Sequence, residues 1–142
     1  MKMVSVKTLA VIGFVLFSMP VFAHHSFTSE FDINQPVTLK GTLKKFDFVN
    51  PHGWIYVDVT GDDGRVATWA VETGGPAALL RRGVRKSDFP IGVEVTVKGY
   101  RAKNGGLSAN GASIKLADGR DFLLATSAPD AAPAEAQPPG KY

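Results

Sequence analysis

Residues 54–60 alternate strictly between two kinds of side chain, and this pattern constrains the fold more than any other stretch of the sequence. One parity holds Ile55, Val57 and Val59, whereas the other holds Trp54, Tyr56, Asp58 and Thr60. Because side chains in a β-strand point alternately to opposite faces, the first set is predicted to face a core and the second an outer surface. The pattern therefore predicts a half-buried strand with Trp and Tyr on its outer face.

The first 23 residues are predicted to be a signal peptide. Lys2 and Lys7 precede an apolar run over residues 9–17, Pro20 ends it, and Val21-Phe22-Ala23 supplies the small residues that a signal peptidase reads. The apolar run is shorter than the ~20 residues that span a bilayer. We therefore expect cleavage after Ala23, a periplasmic or secreted protein starting at His24, and no membrane span in the mature chain.

Charge and cysteine content narrow the class of protein. The full chain has 16 basic and 13 acidic side chains and no cysteine. Loss of Lys2 and Lys7 leaves 14 basic side chains against 13, which disfavours nucleic-acid binding because that requires a basic surface. Without disulfides the mature domain depends on its core, and its length is sufficient to bury one.

The order of predicted elements indicates the fold class. Pro76, the arginines at 81 and 82 and Gly83 mark the start and end of one short helix, and a bulge is expected near Lys44. Strands are predicted over residues 37–48, 54–60, 65–72, 93–101, 107–116 and 120–124. We therefore predict an all-β domain, a small OB-like antiparallel β-barrel of five to six strands with the helix between strands 3 and 4. A small β-sandwich is the alternative.

Four segments follow from these assignments. Residues 1–23 form the signal peptide, 24–36 an N-terminal arm, 37–124 the OB-like domain, and 125–142 an Ala/Pro-rich tail that is predicted to be disordered because it has little apolar surface to bury.

The three histidines suggest a metal site. After cleavage, His24 carries both a free α-amino group and an imidazole, and these two nitrogens can chelate one ion. A second imidazole from His52 would give a nitrogen-rich planar set that suits Cu(II); His25 is less suited, because adjacent side chains diverge in an extended backbone. The alternative is that His24 and His25 begin a solvated arm and His52 caps a turn.

Two other groups of side chains are candidate binding surfaces. Trp54 and Tyr56, with Tyr100 on the fourth strand, could stack on a carbohydrate or peptide; the alternative is that the arm or tail covers them. Arg81 and Arg82 could bind an anionic ligand, or simply complement the helix dipole. Catalysis is not indicated, because the sequence has no cysteine nucleophile, no recognisable serine motif and no phosphate-binding loop.

Several motifs resemble those of one family. They are AHHSF at 23–27, VNPHGWI at 49–55, WAVE at 69–72, PAALLRRG at 76–83 and VTVKGYRAKNG at 95–105. In these the chain resembles DUF6152, a family of small exported bacterial proteins known only as a domain of unknown function. The resemblance implies export and a compact β-rich domain, and it carries no catalytic residue.

The sequence thus predicts an exported periplasmic binding or accessory protein that is not an enzyme and acts on an unidentified periplasmic ligand or protein. Copper binding through His24, His25 and His52 is the first specific alternative. A carbohydrate- or peptide-binding module is the second.

Overall fold

The computed structural model of the protein describes residues 27–124. The predicted signal peptide, His24, His25 and the tail over residues 125–142 lie outside this part. In chain order the elements are α1 Phe27–Glu30, β1 Phe31–Asp47, β2 His52–Thr60, β3 Val66–Gly74, α2 Pro76–Arg81, a 3-10 helix Lys86–Asp88, β4 Glu94–Ala102, β5 Ser108–Leu116 and β6 Asp121–Leu123. Within residues 27–124, no helix has the length and apolar character needed to cross a membrane.

A single sheet contains all of these strands. Its order is β3-β2-β1-β4-β5-β6, with antiparallel neighbours throughout, and an additional parallel pairing between β3 and β5 closes the first five strands into a ring. The all-β prediction is confirmed, as is the position of the short helix between the third and fourth strands. Every strand of residues 27–124 belongs to one sheet that closes on itself, which separates this fold from the sandwich alternative.

The inside of the ring is filled by the residues that the alternation predicted. Ile55, Val57 and Val59 of β2 are buried, and Trp69 and Val71 of β3 are fully buried beside them. The registers pair Val57 with Trp69 and Ile55 with Val71, so the two apolar sets face the same side. The core also includes side chains from β1, α2, β4 and β5.

β1 is the longest strand and contains the predicted bulge. Its register against β2 shifts between Leu43 and Lys45, so that Leu43 and Phe46 both reach the core despite their opposite parity. The strand begins at Phe31, earlier than the predicted residue 37. Phe31 pairs with Ala102 of β4 and is itself buried, which extends the strand into the segment predicted to be an arm.

A second apolar cluster lies apart from the main core and involves α1. It consists of Phe27, Phe31, Tyr100 and Ala102. The Phe27 ring meets the Tyr100 ring edge-on at 5.4 Å between centroids and stacks on Phe31 at 5.8 Å. Lys103 adds polar contacts, since its backbone N–H donates to the Glu30 carbonyl at 2.8 Å and its Nζ donates to the Thr28 carbonyl at 2.6 Å. The first described residues are therefore fixed to the outer side of β4.

Substituting Phe27 tests this attachment. Phe27→Ala removes the ring that contacts both Phe31 and Tyr100, and we expect the free energy of unfolding to fall by about 2–3 kcal/mol, below the range for a central core phenylalanine because the cluster is small. Ile33→Ala is the control, since Ile33 on the adjoining strand β1 is 42% exposed; its loss should be about 0.5 kcal/mol or less. Equal losses in urea unfolding would contradict the packing role of Phe27.

Candidate functional site

Two sequence segments meet at one end of the β2–β3 pair. The turn at Asn50-Pro51 leads into β2, and the end of β3 leads through Gly75 into α2. A side chain at Gly53 would strike the Thr73 hydroxyl, and one at Gly75 would strike the Pro51 carbonyl. Glycine at both positions therefore lets the two segments approach closely, and this contact brings His52 next to the end of β3.

The His52 ring and the Glu72 carboxylate are in hydrogen-bond contact across these two segments. His52 Nδ1 lies 2.6 Å from Glu72 Oε1. The Glu72 residue is buried at 7% exposure, whereas the His52 side chain is 34% exposed. A Nδ1 hydrogen donated to the carboxylate fixes the orientation of the ring and makes Nε2 its coordinating or accepting nitrogen.

The pair belongs to a row of side chains that crosses the outside of the ring. Register partners link Trp54 of β2 to Glu72 of β3, Glu72 to Asn110 of β5, and Asn110 to Tyr100 of β4. Glu72 and Asn110 are both buried, although they lie on the face opposite the core residues Val71 and Ala109. We refer to Trp54, Glu72, Asn110 and Tyr100, together with His52, as the outer row.

The predicted ligand-binding residues do not form one surface. Trp54 and Tyr56 lie side by side on the outer face of β2 and are half-buried, and Lys45 Nζ lies 5.4 Å from the centre of the Tyr56 ring. Tyr100 is 3% exposed and packs beneath Phe27, so its ring is not part of an exposed aromatic face. The reason is that α1 covers the outer side of β4 at this position.

Arg81 and Arg82 are exposed at the C-terminal end of α2. Gly75, which adjoins the outer row, caps the other end of that helix. The structure thus separates the two arginines from the histidine–glutamate pair by the length of α2. Arg81 remains in the last turn, where a positive charge complements the helix dipole.

The outer face of β2 continues past Tyr56 to a polar network around Asp58. The Thr68 hydroxyl donates to Asp58 Oδ1 at 2.5 Å, and Lys44 Nζ lies 3.4 Å from the same oxygen. The Thr68 hydrogen bond, reinforced by Lys44, holds the pKa of the Asp58 carboxyl below its ordinary value. An open groove of about 570 Å³ begins here and is lined by residues including Lys40, Thr42, Asp58, Thr60 and Glu94; neither His52 nor Glu72 lines it.

The structure identifies two site residues that sequence reasoning did not assign. Glu72 had no recognisable partner in the sequence, yet the β2–β3 register brings it to His52. Asn110 was not singled out at all. One sequence signal could have identified Glu72. It is a carboxylate near the end of the predicted third strand, and its side chain lies on the face opposite that of Val71. Among residues 27–124, no group of three His, Cys, Asp or Glu side chains is arranged to hold a metal ion.

Comparison of the sequence with models of known protein families identifies the family to which the chain belongs. A model of the DUF6152 family, described as a family of unknown function, matches residues 13–112. The chain belongs to the DUF6152 family. The matched residues include all three histidines and Glu72 and Asn110. Neither a curated protein nor a solved structure matches the chain.

The histidine–glutamate pair can be tested by a double-mutant cycle. Substituting His52→Ala and Glu72→Gln singly and together should reveal a coupling of about 1 kcal/mol in urea unfolding at neutral pH. Hydrogen bonds to charged groups are worth ~1.5–3 kcal/mol, and the solvent exposure of His52 lowers that value. Additivity of the two changes to within ~0.3 kcal/mol would show that the contact contributes nothing to stability.

The Asp58 network predicts a pH-dependent stability difference. Thr68→Val should return the pKa of Asp58 towards its ordinary value of 3.8. A lowered pKa stabilises the folded state above the unfolded-state pKa, and that stabilisation disappears as the pH falls through the folded-state pKa. The variant should therefore be less stable than the wild type at neutral pH, and the difference should shrink in acid below the ordinary value.

The control for this experiment is Thr42→Val. Thr42 faces Asp58 from β1 at the same register. Its effect on urea unfolding should be independent of pH. If the Thr68→Val difference also stayed constant between neutral pH and acid, the hydroxyl would not be the cause of the lowered pKa of Asp58.

Proposed function

We propose that this protein is an exported periplasmic binding protein without catalytic activity and that its ligand is Cu(II). The proposed ligands are the α-amino nitrogen and imidazole of His24 and the Nε2 atom of His52. The observation that carries the proposal is the contact of His52 Nδ1 with Glu72 Oε1 at 2.6 Å. Metal-binding histidines usually donate their other ring N–H to a carboxylate, a backbone carbonyl or water, which orients the ring and increases its basicity.

The chain length between His24 and the described residues supports the same assignment. Phe27 is fixed against Tyr100, and His24 lies three residues earlier, a distance of up to ~10 Å in extended chain. Glu72 lies two strand spacings from Tyr100 along the outer row, which is also about 10 Å. The His52 ring contacts Glu72, so a segment that ran along the row would end near the histidine–glutamate pair.

The chemistry of this donor set favours copper. One amine and two imidazoles are nitrogen donors of intermediate softness, and Cu(II) binds such sets more strongly than the other divalent first-row metals. A binding role also accords with Thr73 beside the pair, whose hydroxyl donates to the Gly74 carbonyl at 3.0 Å. That hydroxyl is buried and already engaged, so it does not supply a nucleophile for His52 to activate.

A copper titration tests the proposal. The probe is CuSO₄, the protein is the chain beginning at His24, and the readout is quenching of tryptophan emission. We expect one equivalent to bind, with the affinity reduced ~10–100-fold by Glu72→Gln through loss of orientation of His52. His52→Ala should reduce it further, because it removes a ligand.

Two control proteins test which groups near the N-terminus bind the copper ion. A chain with one glycine added before His24 has no amine on that residue and should lose tight binding. His25→Ala should retain the affinity of the wild type, and a loss there would place His25 among the ligands. Equal weak binding by the native, extended and His52→Ala chains would refute the copper proposal.

A carbohydrate- or peptide-binding role is the second candidate, and one observation favours it. The half-buried rings of Trp54 and Tyr56 lie on the same β2 face as Asp58 and Thr60, which line the open groove. A ligand could thus contact both the rings and the groove. Binding of this kind should fall at least tenfold in Trp54→Ala and should be unchanged by a glycine added before His24.

A further inference from the structure

Residues 80–86 form an exposed turn after α2 that carries several positive charges. Leu80 is 52% exposed, and the four basic side chains that follow it are exposed as well; they are Arg81, Arg82, Arg85 and Lys86. The predicted mature chain has nearly equal numbers of basic and acidic side chains, so this stretch is a strong local excess of positive charge. We refer to residues 80–86 as the basic turn.

Two buried side chains fix the direction in which the basic turn points. Leu79 and Val84 are both fully buried. The Val84 N–H donates to the Leu79 carbonyl at 3.0 Å, and the Gly83 N–H donates to the carbonyl of residue 80 at the same distance. Gly83 has a φ of +79°, the left-handed conformation that this way of ending a helix requires. The exposed side chains are therefore held on the surface by a backbone that is anchored in the core.

The positive charges of the basic turn are not neutralised by neighbouring carboxylates. Within residues 27–124, none of its four basic side chains takes part in an ion pair. The carboxylate nearest to them in sequence is Asp88, which is engaged elsewhere. Its Oδ1 atom lies 3.1 Å from Arg120 Nη1, and its Oδ2 atom accepts the Arg85 backbone N–H at 2.9 Å. The four charges are thus available to an external anion.

We infer that the basic turn docks on an anionic bilayer surface, with its four cations among the lipid phosphates and Leu80 in the headgroup region. Basic segments are attracted to anionic lipid surfaces, and an exposed apolar side chain adds to this attraction by entering the boundary with the acyl chains. A soluble anion would gain nothing from Leu80. None of the four cations lines the open groove of about 570 Å³, so they present an outer surface and do not converge on that cavity.

The docking surface is separate from the copper site proposed above. Gly75, beside the histidine–glutamate pair, caps one end of α2, and the basic turn begins at the other end of this helix. The six residues of α2 separate the two by ~9 Å. Docking uses no histidine and no N-terminal amine, so the inference goes beyond the proposed function and does not depend on it.

Sedimentation with lipid vesicles tests the inference. The protein is the predicted mature chain beginning at His24, because the apolar run over residues 9–17 could itself enter a bilayer. Vesicles of phosphatidylcholine alone are compared with vesicles that also contain phosphatidylglycerol. We expect binding to the anionic vesicles only. Binding should be lost when NaCl is raised from about 0.1 M to about 1 M, because the screening length falls from ~10 Å to ~3 Å.

Removal of two charges outside α2 tests which part of the protein docks. Each basic side chain near an anionic surface contributes about fivefold to binding, so Arg82→Gln with Arg85→Gln should lower the partition coefficient ~25-fold. The matched control is Arg65→Gln with Lys98→Gln, an equal change in net charge at exposed residues outside the basic turn; it should lower the coefficient by about twofold or less. Arg82→Lys with Arg85→Lys keeps both charges and should bind like the wild type.

Leu80→Ala distinguishes a bilayer from a soluble polyanion. Loss of the apolar side chain should weaken binding to anionic vesicles about fivefold and should leave binding to polyphosphate unchanged. Equal binding to both kinds of vesicle, or equal losses in the Arg82/Arg85 and Arg65/Lys98 double variants, would overturn the inference. So would an unchanged vesicle affinity in Leu80→Ala, because the basic turn would then be a general anion-binding surface.

Discussion

The parallel pairing between β3 and β5 is the constraint on which the rest of the structure depends. It involves three register positions, Ala70 with Ser108, Val71 with Ala109 and Glu72 with Asn110. These contacts close the ring and thereby remove the edges that β3 and β5 would otherwise present. They also place one core pair and one outer pair next to each other, so the closure that buries Val71 and Ala109 is the same contact that brings Glu72 to Asn110.

Packing in the core fixes the strand register and therefore the positions of the outer-row side chains. Because side chains alternate along each strand, any shift of register by one residue would exchange the two faces and expose the apolar set. Trp69 and Val71 are fully buried, which makes such a shift costly. His52, Glu72 and Asn110 are thus held in register by hydrophobic packing on the opposite face, and the Glu72 contact sets the orientation of the His52 ring within that register.

Much of the fold could be predicted from sequence, but the site could be predicted only in part. Alternation identified the inward residues of β2, and the parity conflict between Leu43 and Phe46 identified the bulge in β1. The start of β1 at Phe31 and the pairing of His52 with Glu72 depend on partners distant in the chain, which local patterns do not contain. Asn110 was missed for a related reason: the bulge at Ala112 reverses its face relative to Ile114 and Leu116. The buried Ala109 has the opposite parity, but a single alanine is a weak sign of a core position.

Both ends of the described chain lie beside the outer row, and this determines where the protein can carry a label. Phe27 rests on Tyr100, while the Leu124 carbonyl accepts the Gly74 N–H at 2.7 Å, and Gly74 is the register partner of His52. A tag or fusion joined directly before Phe27 or directly after Leu124 would therefore lie near the candidate site. The β2–β3 turn, with Asp62 and Asp63 exposed, lies at the far end of two nine-residue strands, roughly 25 Å away. A fluorophore or an inserted epitope in that turn would report on the domain from a position remote from the histidine–glutamate pair.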